Sequence, residues 1–118
     1  MIHILSQDGW LLINAEKVVA YMIRARAATD YERRCGHANC YYVYEIAVKM
    51  PDADFSIGTF KAEETARHVL GVLGEEIAKL YWKSRMFSIP TEEDYDKWRL
   101  NANRKSNFGW EAANVQKP

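Results

Sequence analysis

A change of period in the middle of the chain constrains its fold more than any other feature. Residues 41–60, YYVYEIAVKMPDADFSIGTF, alternate apolar and polar side chains around a Pro-Asp-Ala-Asp break, the pattern of two antiparallel strands joined by a tight connection. In residues 63–81 the apolar positions Ala66, Val69, Leu70, Leu73, Ile77, Leu80 and Tyr81 recur at three- and four-residue steps, which makes one helical stripe. A hairpin followed at once by an amphipathic helix buries that stripe by folding it back on the sheet. The expected fold is α+β: a small curved antiparallel sheet of four or five strands packed against one long helix over residues 63–82.

The remaining strands are read from turns. Ile2 to Leu5 is β-prone and stops at Gln7-Asp8-Gly9; Trp10 to Ile13 is the returning strand. Asn14-Ala15-Glu16-Lys17 turns the chain into Val18–Ala27. There Val19, Tyr21, Ile23 and Ala25 are expected inward, and Ala20, Met22, Arg24 and Arg26 half-solvated. Residues 28–40 are polar and irregular, which predicts an exposed loop. Gly58 inside a strand predicts a bulge or a close backbone approach. Gly71 and Gly74 each cost about 1 kcal/mol in a helix interior, and Gly74 lies near enough to the stripe to admit a strand. Met86-Phe87-Ser88-Ile89 is an edge-strand candidate, and Thr91 with the acids after it resembles a helix start. Periodicity lapses after Asn101. Residues 1–90 are therefore read as a single domain and residues 91–118 as a C-terminal extension, a short helix and then a flexible tail.

Composition narrows the function classes. The 118 residues carry 16 basic and 16 acidic side chains, a formal net charge of zero, so no global field draws the chain to nucleic acid or an anionic membrane. No apolar run is long enough to cross a bilayer, and the start of the chain lacks the pattern of a secretory signal. With two cysteines a disulfide framework is not expected, and the expected compartment is the cytoplasm.

Three groups of residues carry chemistry in principle. Cys35, His37 and Cys40 put two thiols and an imidazole in one loop, three ligands where a closed zinc site takes four; two free thiols are the simpler reading, and no cofactor is expected. Arg24 and Arg26 on one strand face can meet phosphate, although basic side chains commonly cover a solvated sheet face. Tyr42 and Tyr44 share the apolar face, so packing is favoured over base stacking. Trp98, Phe108 and Trp110 stand in a polar tail, and aromatic side chains of that kind are frequent interface anchors.

Four short motifs resemble a family of small uncharacterised proteins from prophages and integrative elements of low-GC Gram-positive bacteria. They are the opening Ile4-Leu5-Ser6-Gln7-Asp8-Gly9, the strand end Ile57-Gly58-Thr59-Phe60, the helix start Glu63-Glu64-Thr65-Ala66-Arg67-His68-Val69-Leu70, and the apolar-proline segment Phe87-Ser88-Ile89-Pro90. The family tends to place Ser or Thr before its helix, where this chain has Lys61-Ala62. The resemblance implies a mobile-element origin and a non-catalytic role. The expectation is an interaction or accessory module with a protein partner or a second copy, with nucleic-acid binding as the rival and a small zinc or thiol protein third.

Overall fold

The computed structural model describes residues 2–36, 41–79 and 84–107, with side chains to residue 100. In order the elements are β1 (Ile2–Leu5), β2 (Leu12–Asn14), a single 3-10 turn (Ala15–Lys17), β3 (Ala20–Ala27), α1 (Asp30–Arg34), β4 (Tyr42–Lys49), β5 (Asp54–Phe60), α2 (Glu63–Ala78), β6 (Arg85–Ser88) and α3 (Glu92–Asn107). The α+β class is as expected. The single sheet of four or five strands is not: there are two three-stranded sheets, ordered β2-β1-β6 and β3-β4-β5. They stay separate because β1 and β2 are short and pair with each other, and the turn after β2 starts β3 against β4 instead.

β6 is also not an antiparallel edge. It runs parallel to β1, with Ile4 opposite Phe87, because α2 carries the chain back across the molecule first, as a parallel pair requires. Nor is there one helix. Thr29 caps α1 in a reciprocal capping box with Glu32 inside the stretch expected to be loop. α3 is as long as α2, at 16 residues each, because Thr91 accepts from the Asp94 amide and starts a full helix.

One core serves both sheets. Ile4 and Ile13 from the first, Ile46, Val48, Ile57 and Phe60 from the second, and Ala66, Val69 and Leu73 from α2 form a single buried cluster, with Leu70 and Ile77 packed against it. β4 is central and is buried on both faces, Val43 and Ala47 as fully as Ile46 and Val48. Tyr95 of α3 belongs to the cluster, and Trp98 packs on it beside Phe87. The first turns of α3 are thus tied into the core that residues 1–90 build.

Gly58 answers both expectations for it. The register passes from Ile46–Gly58 to Ala47–Ser56, leaving Ile57 as an extra, bulged residue. A Cβ at Gly58 would lie 2.8 Å from the Ile89 side chain, so only glycine lets the two sheets approach there. Gly74 does not admit a strand: a Cβ there would meet no atom within 4 Å.

α2 is stopped at both ends by distant residues. Ala62 offers no side-chain cap, yet the Glu92 carboxylate accepts from the Lys61 amide at 2.6 Å, placing a negative charge at the positive end of the helix dipole. At the other end Arg85 of β6 donates to the Glu76 carbonyl at 2.7 Å and to its carboxylate at 2.6 Å.

Candidate functional site

The turn between β1 and β2 combines backbone hydrogen bonds with a set from the Ser6 and Asp8 side chains. The Ser6 hydroxyl donates to Asp8 Oδ1 at 2.6 Å and accepts from the Leu11 amide at 3.0 Å, while Asp8 Oδ1 also accepts from the Trp10 amide at 3.0 Å. Gly9 takes φ 79°, a conformation that a side chain would strain, and its amide donates to the Ser6 carbonyl. The Ser6 hydroxyl, and then the Trp10 amide, hold the Asp8 carboxyl below its ordinary range. Ser6 is buried and fully satisfied. The outcome is a fixed turn that carries Trp10 outward, 86% exposed.

Beside that turn the β2-β1-β6 sheet has an open outer face. Cross-strand partners share a face, so Leu12–Leu5–Ser88 and Asn14–His3–Met86 form two rows on it, with Ile13, Ile4 and Phe87 beneath. Leu12 and Met86 are each 60% exposed and Leu5 is half-buried. Leu12, Leu5 and Met86 therefore make up an apolar surface, next to the turn that exposes Trp10.

Gln7 locks this unit onto the other sheet. Its amide nitrogen donates to the carbonyls of Thr59 at 3.1 Å and Pro90 at 2.9 Å, and its amide oxygen accepts from the Thr59 amide at 3.0 Å. Its backbone N–H donates to the Ile57 carbonyl at 2.8 Å. One residue thus occupies the β5 edge at Ile57 and Thr59 in place of a strand. The shallow depression beside it, about 70 Å³ between Gln7, Asp8, Ser56 and Gly58, is below the size of a small-molecule site.

The residues singled out by sequence do not meet in one place. Arg24 pairs with Glu45 at 3.3 Å; Arg26 bridges Glu45 at 2.8 Å and Glu32 at 2.7 Å. Arg26 holds Glu32 down to about 2, and Glu32 in turn raises Arg26. Both arginines are engaged by carboxylates that a phosphate would have to displace. Cys35 is exposed at the end of α1; His37 and Cys40 lie outside the described residues, as do Phe108 and Trp110. Among the described residues no three His, Cys, Asp or Glu side chains gather as metal ligands. Trp98 is half-buried against Phe87 and Tyr95. Tyr44 packs on the core, whereas Tyr42 is exposed. His68 meets the Tyr95 hydroxyl at 2.7 Å and so joins α2 to α3.

Sequence reasoning missed Trp10 and Gln7. Trp10 reads as the first residue of a strand that in fact starts at Leu12. The available signal was its position one residue after a glycine turn with an acid two places before it. Gln7 carried none, because its partners are 52 and 83 residues away.

No helix among the described residues is long and apolar enough to cross a membrane. No family model matches the chain, and neither a curated protein nor a solved structure is similar to it.

Proposed function

We propose that the chain is a non-catalytic protein-interaction module of a prophage or integrative element, and that it docks a protein partner through Trp10 and the outer face of the β2-β1-β6 sheet. The observation that carries this reading is the exposure of Trp10 on a turn whose backbone is already fixed. A main chain fixed beforehand loses no further freedom on binding, the tryptophan side chain has only two torsions to order, and large aromatic side chains dominate interface energetics. Leu5, Leu12 and Met86 supply the apolar surround that excludes water from such an anchor. The partner surface that fits is an apolar groove of a protein, since the patch itself is uncharged. The mobile-element assignment rests on the four motifs given above.

The test is reconstitution. A partner captured by the tagged chain from its host is purified and titrated against wild type, Trp10→Ala and Leu12→Ser. We expect Trp10→Ala to weaken binding by at least tenfold, the loss of an anchor worth more than 1.4 kcal/mol, with circular dichroism unchanged. A partner that binds Trp10→Ala/Leu12→Ser as tightly as wild type would reject the site.

A further inference from the structure

The β3-β4-β5 sheet has one long edge, that of β3, with no strand paired to it among the described residues. Gln7 bonds the β5 edge at Ile57 and Thr59 and leaves only its short start, and β2 and β6 are only three and four residues long. β3 is eight residues long, contains no proline, and keeps an unbroken register with β4 from Ala20–Lys49 to Ala27–Tyr42. A long, regular, uncovered strand edge is a template for another strand.

The orientation of its backbone groups follows from one bond. The Ala28 amide donates to the Tyr41 carbonyl, and hydrogen-bonded pairs alternate along an antiparallel ladder. Met22, Arg24 and Arg26 therefore bond to β4, and Tyr21, Ile23 and Ala25 direct both N–H and C=O away from it. The Ala27 carbonyl is already taken by Arg26. The charges that would guard such an edge are drawn inward: Arg24 and Arg26 reach across the sheet to Glu45.

We propose that two copies of this chain pair antiparallel along β3, about a twofold axis at Ile23, and join their β3-β4-β5 sheets into one. In this register Tyr21 bonds to Ala25 of the other copy and Ile23 to its counterpart, which uses the three open residues and no others. On the outer face Arg24 lies opposite Met22 of the other copy, and Arg26 opposite Ala20. Centring the axis on Arg24 would set Arg24 against Arg24, and centring it on Ala25 would set Arg24 against Arg26. Like charges directly opposite are destabilising. Centring it on Met22 would place Ala25 against Val19, whose amide is already given to Lys49. Backbone geometry and charge thus select one register, and a second copy supplies it without a foreign strand. The pairing uses the other sheet from the Trp10 surface, so it stands or falls independently of the proposed partner.

Sedimentation of the full chain tests it, with three variants. Wild type is expected to be a concentration-dependent dimer. Ala25→Pro removes an outward N–H and no bond to β4, so it is expected to give a monomer with unchanged circular dichroism. Met22→Glu faces Arg24 of the other copy and is expected to tighten the dimer about fivefold at low salt; Met22→Arg is expected to loosen it by about as much. These two decide the matter if Ala25→Pro fails to fold. A wild type that stays monomeric at high concentration overturns the proposal. So does a dimer that both Met22 variants leave unchanged, which would place the interface, or a foreign strand's site, elsewhere.

Discussion

The two sheets reach order by different means. The β3-β4-β5 sheet is long-stranded, and its inner face is covered by α2, so burial of Ile46, Val48, Ile57 and Phe60 under Val69 and Leu73 stabilises it. The β2-β1-β6 sheet has strands of three and four residues, too short to be independently stable. It borrows part of the same core and is pinned by polar side chains: Ser6 and Asp8 in its turn, and Gln7 across to Thr59 and Pro90. A sheet that buries one face and is fixed by a few hydrogen bonds can leave its other face apolar and open, as the surface with Trp10, Leu12 and Met86 does.

The hardest way to break this comparison is through the part the sheets share. Leu73 is fully buried in the cluster to which both sheets contribute, and Leu→Ala in a core costs about 2–5 kcal/mol through lost transfer energy and a cavity. Leu73→Ala is expected to lower the unfolding midpoint strongly in one cooperative transition, whereas Glu75→Ala, exposed two residues on at the opposite side of the helix, stays within about 0.5 kcal/mol. Similar small effects from both would mean that the sheets do not rest on α2.

Gln7 separates the two sheets more selectively. Gln7→Ala leaves the amide and carbonyl of Thr59 and the carbonyl of Pro90 without that partner, at a cost of about 2 kcal/mol. The loss should appear as faster amide exchange in β1 and β6 with little change in β4. Gln7→Glu adds a pH signature. Its carboxylate would face two carbonyl oxygens, which raises its folded pKa above the unfolded value. The stability of this variant is then highest below the unfolded pKa and falls as pH rises towards the folded one. Uniform exchange across both sheets, or a flat pH response, would show that Gln7 does not hold them together.

These two residues also mark what a sequence discloses. The stripe through Leu73 is periodic, so the helix and its buried face were legible from Ala66 to Ile77. Gly58 was legible because glycine inside an alternating strand has few explanations, and the structure supplies two of them, a bulge and the contact with Ile89. α1 was missed although Thr29-Asp30-Tyr31-Glu32 is a capping-box sequence, because its few residues were too short to show a period. The division into two sheets was not legible. It depends on Gln7, and on Glu92 and Arg85 closing the ends of α2; such partners are adjacent only after folding. Of the candidate surface, the turn was readable and its neighbours were not, because whether Leu12 and Met86 face the core or solvent depends on a parallel pairing with β6.

A milder lever acts on the outer face of the long sheet. Glu32 is held down to about 2, first by its hydrogen bond to Arg26. A depressed carboxyl contributes stability above its unfolded pKa and loses it as pH falls towards the folded value, so this contribution fades from about pH 4.5 towards pH 2. Arg26→Ala should remove that acid-side decline and cost about 1 kcal/mol at neutral pH, since the guanidinium is partly exposed. Added salt should shrink the difference. An acid limb that survives in Arg26→Ala would assign it to other carboxylates.

The smallest expected effect is a gain, on the helix that covers the long sheet. A Cβ at Gly71 or Gly74 would meet nothing within 4 Å, and neither residue has a positive φ. Alanine there adds no clash and removes unfolded-state freedom, which is worth roughly 0.5–1 kcal/mol at each position. Gly71→Ala/Gly74→Ala is therefore expected to raise the thermal midpoint by a few degrees. The gain should pass to both sheets, because α2 lies over the core they share. If the midpoint falls instead, something packs against these glycines, and a partner surface on α2 becomes the better reading. If it rises but exchange in β1 and β6 does not slow, the short sheet opens on its own, and its order rests on Gln7 more than on the common core.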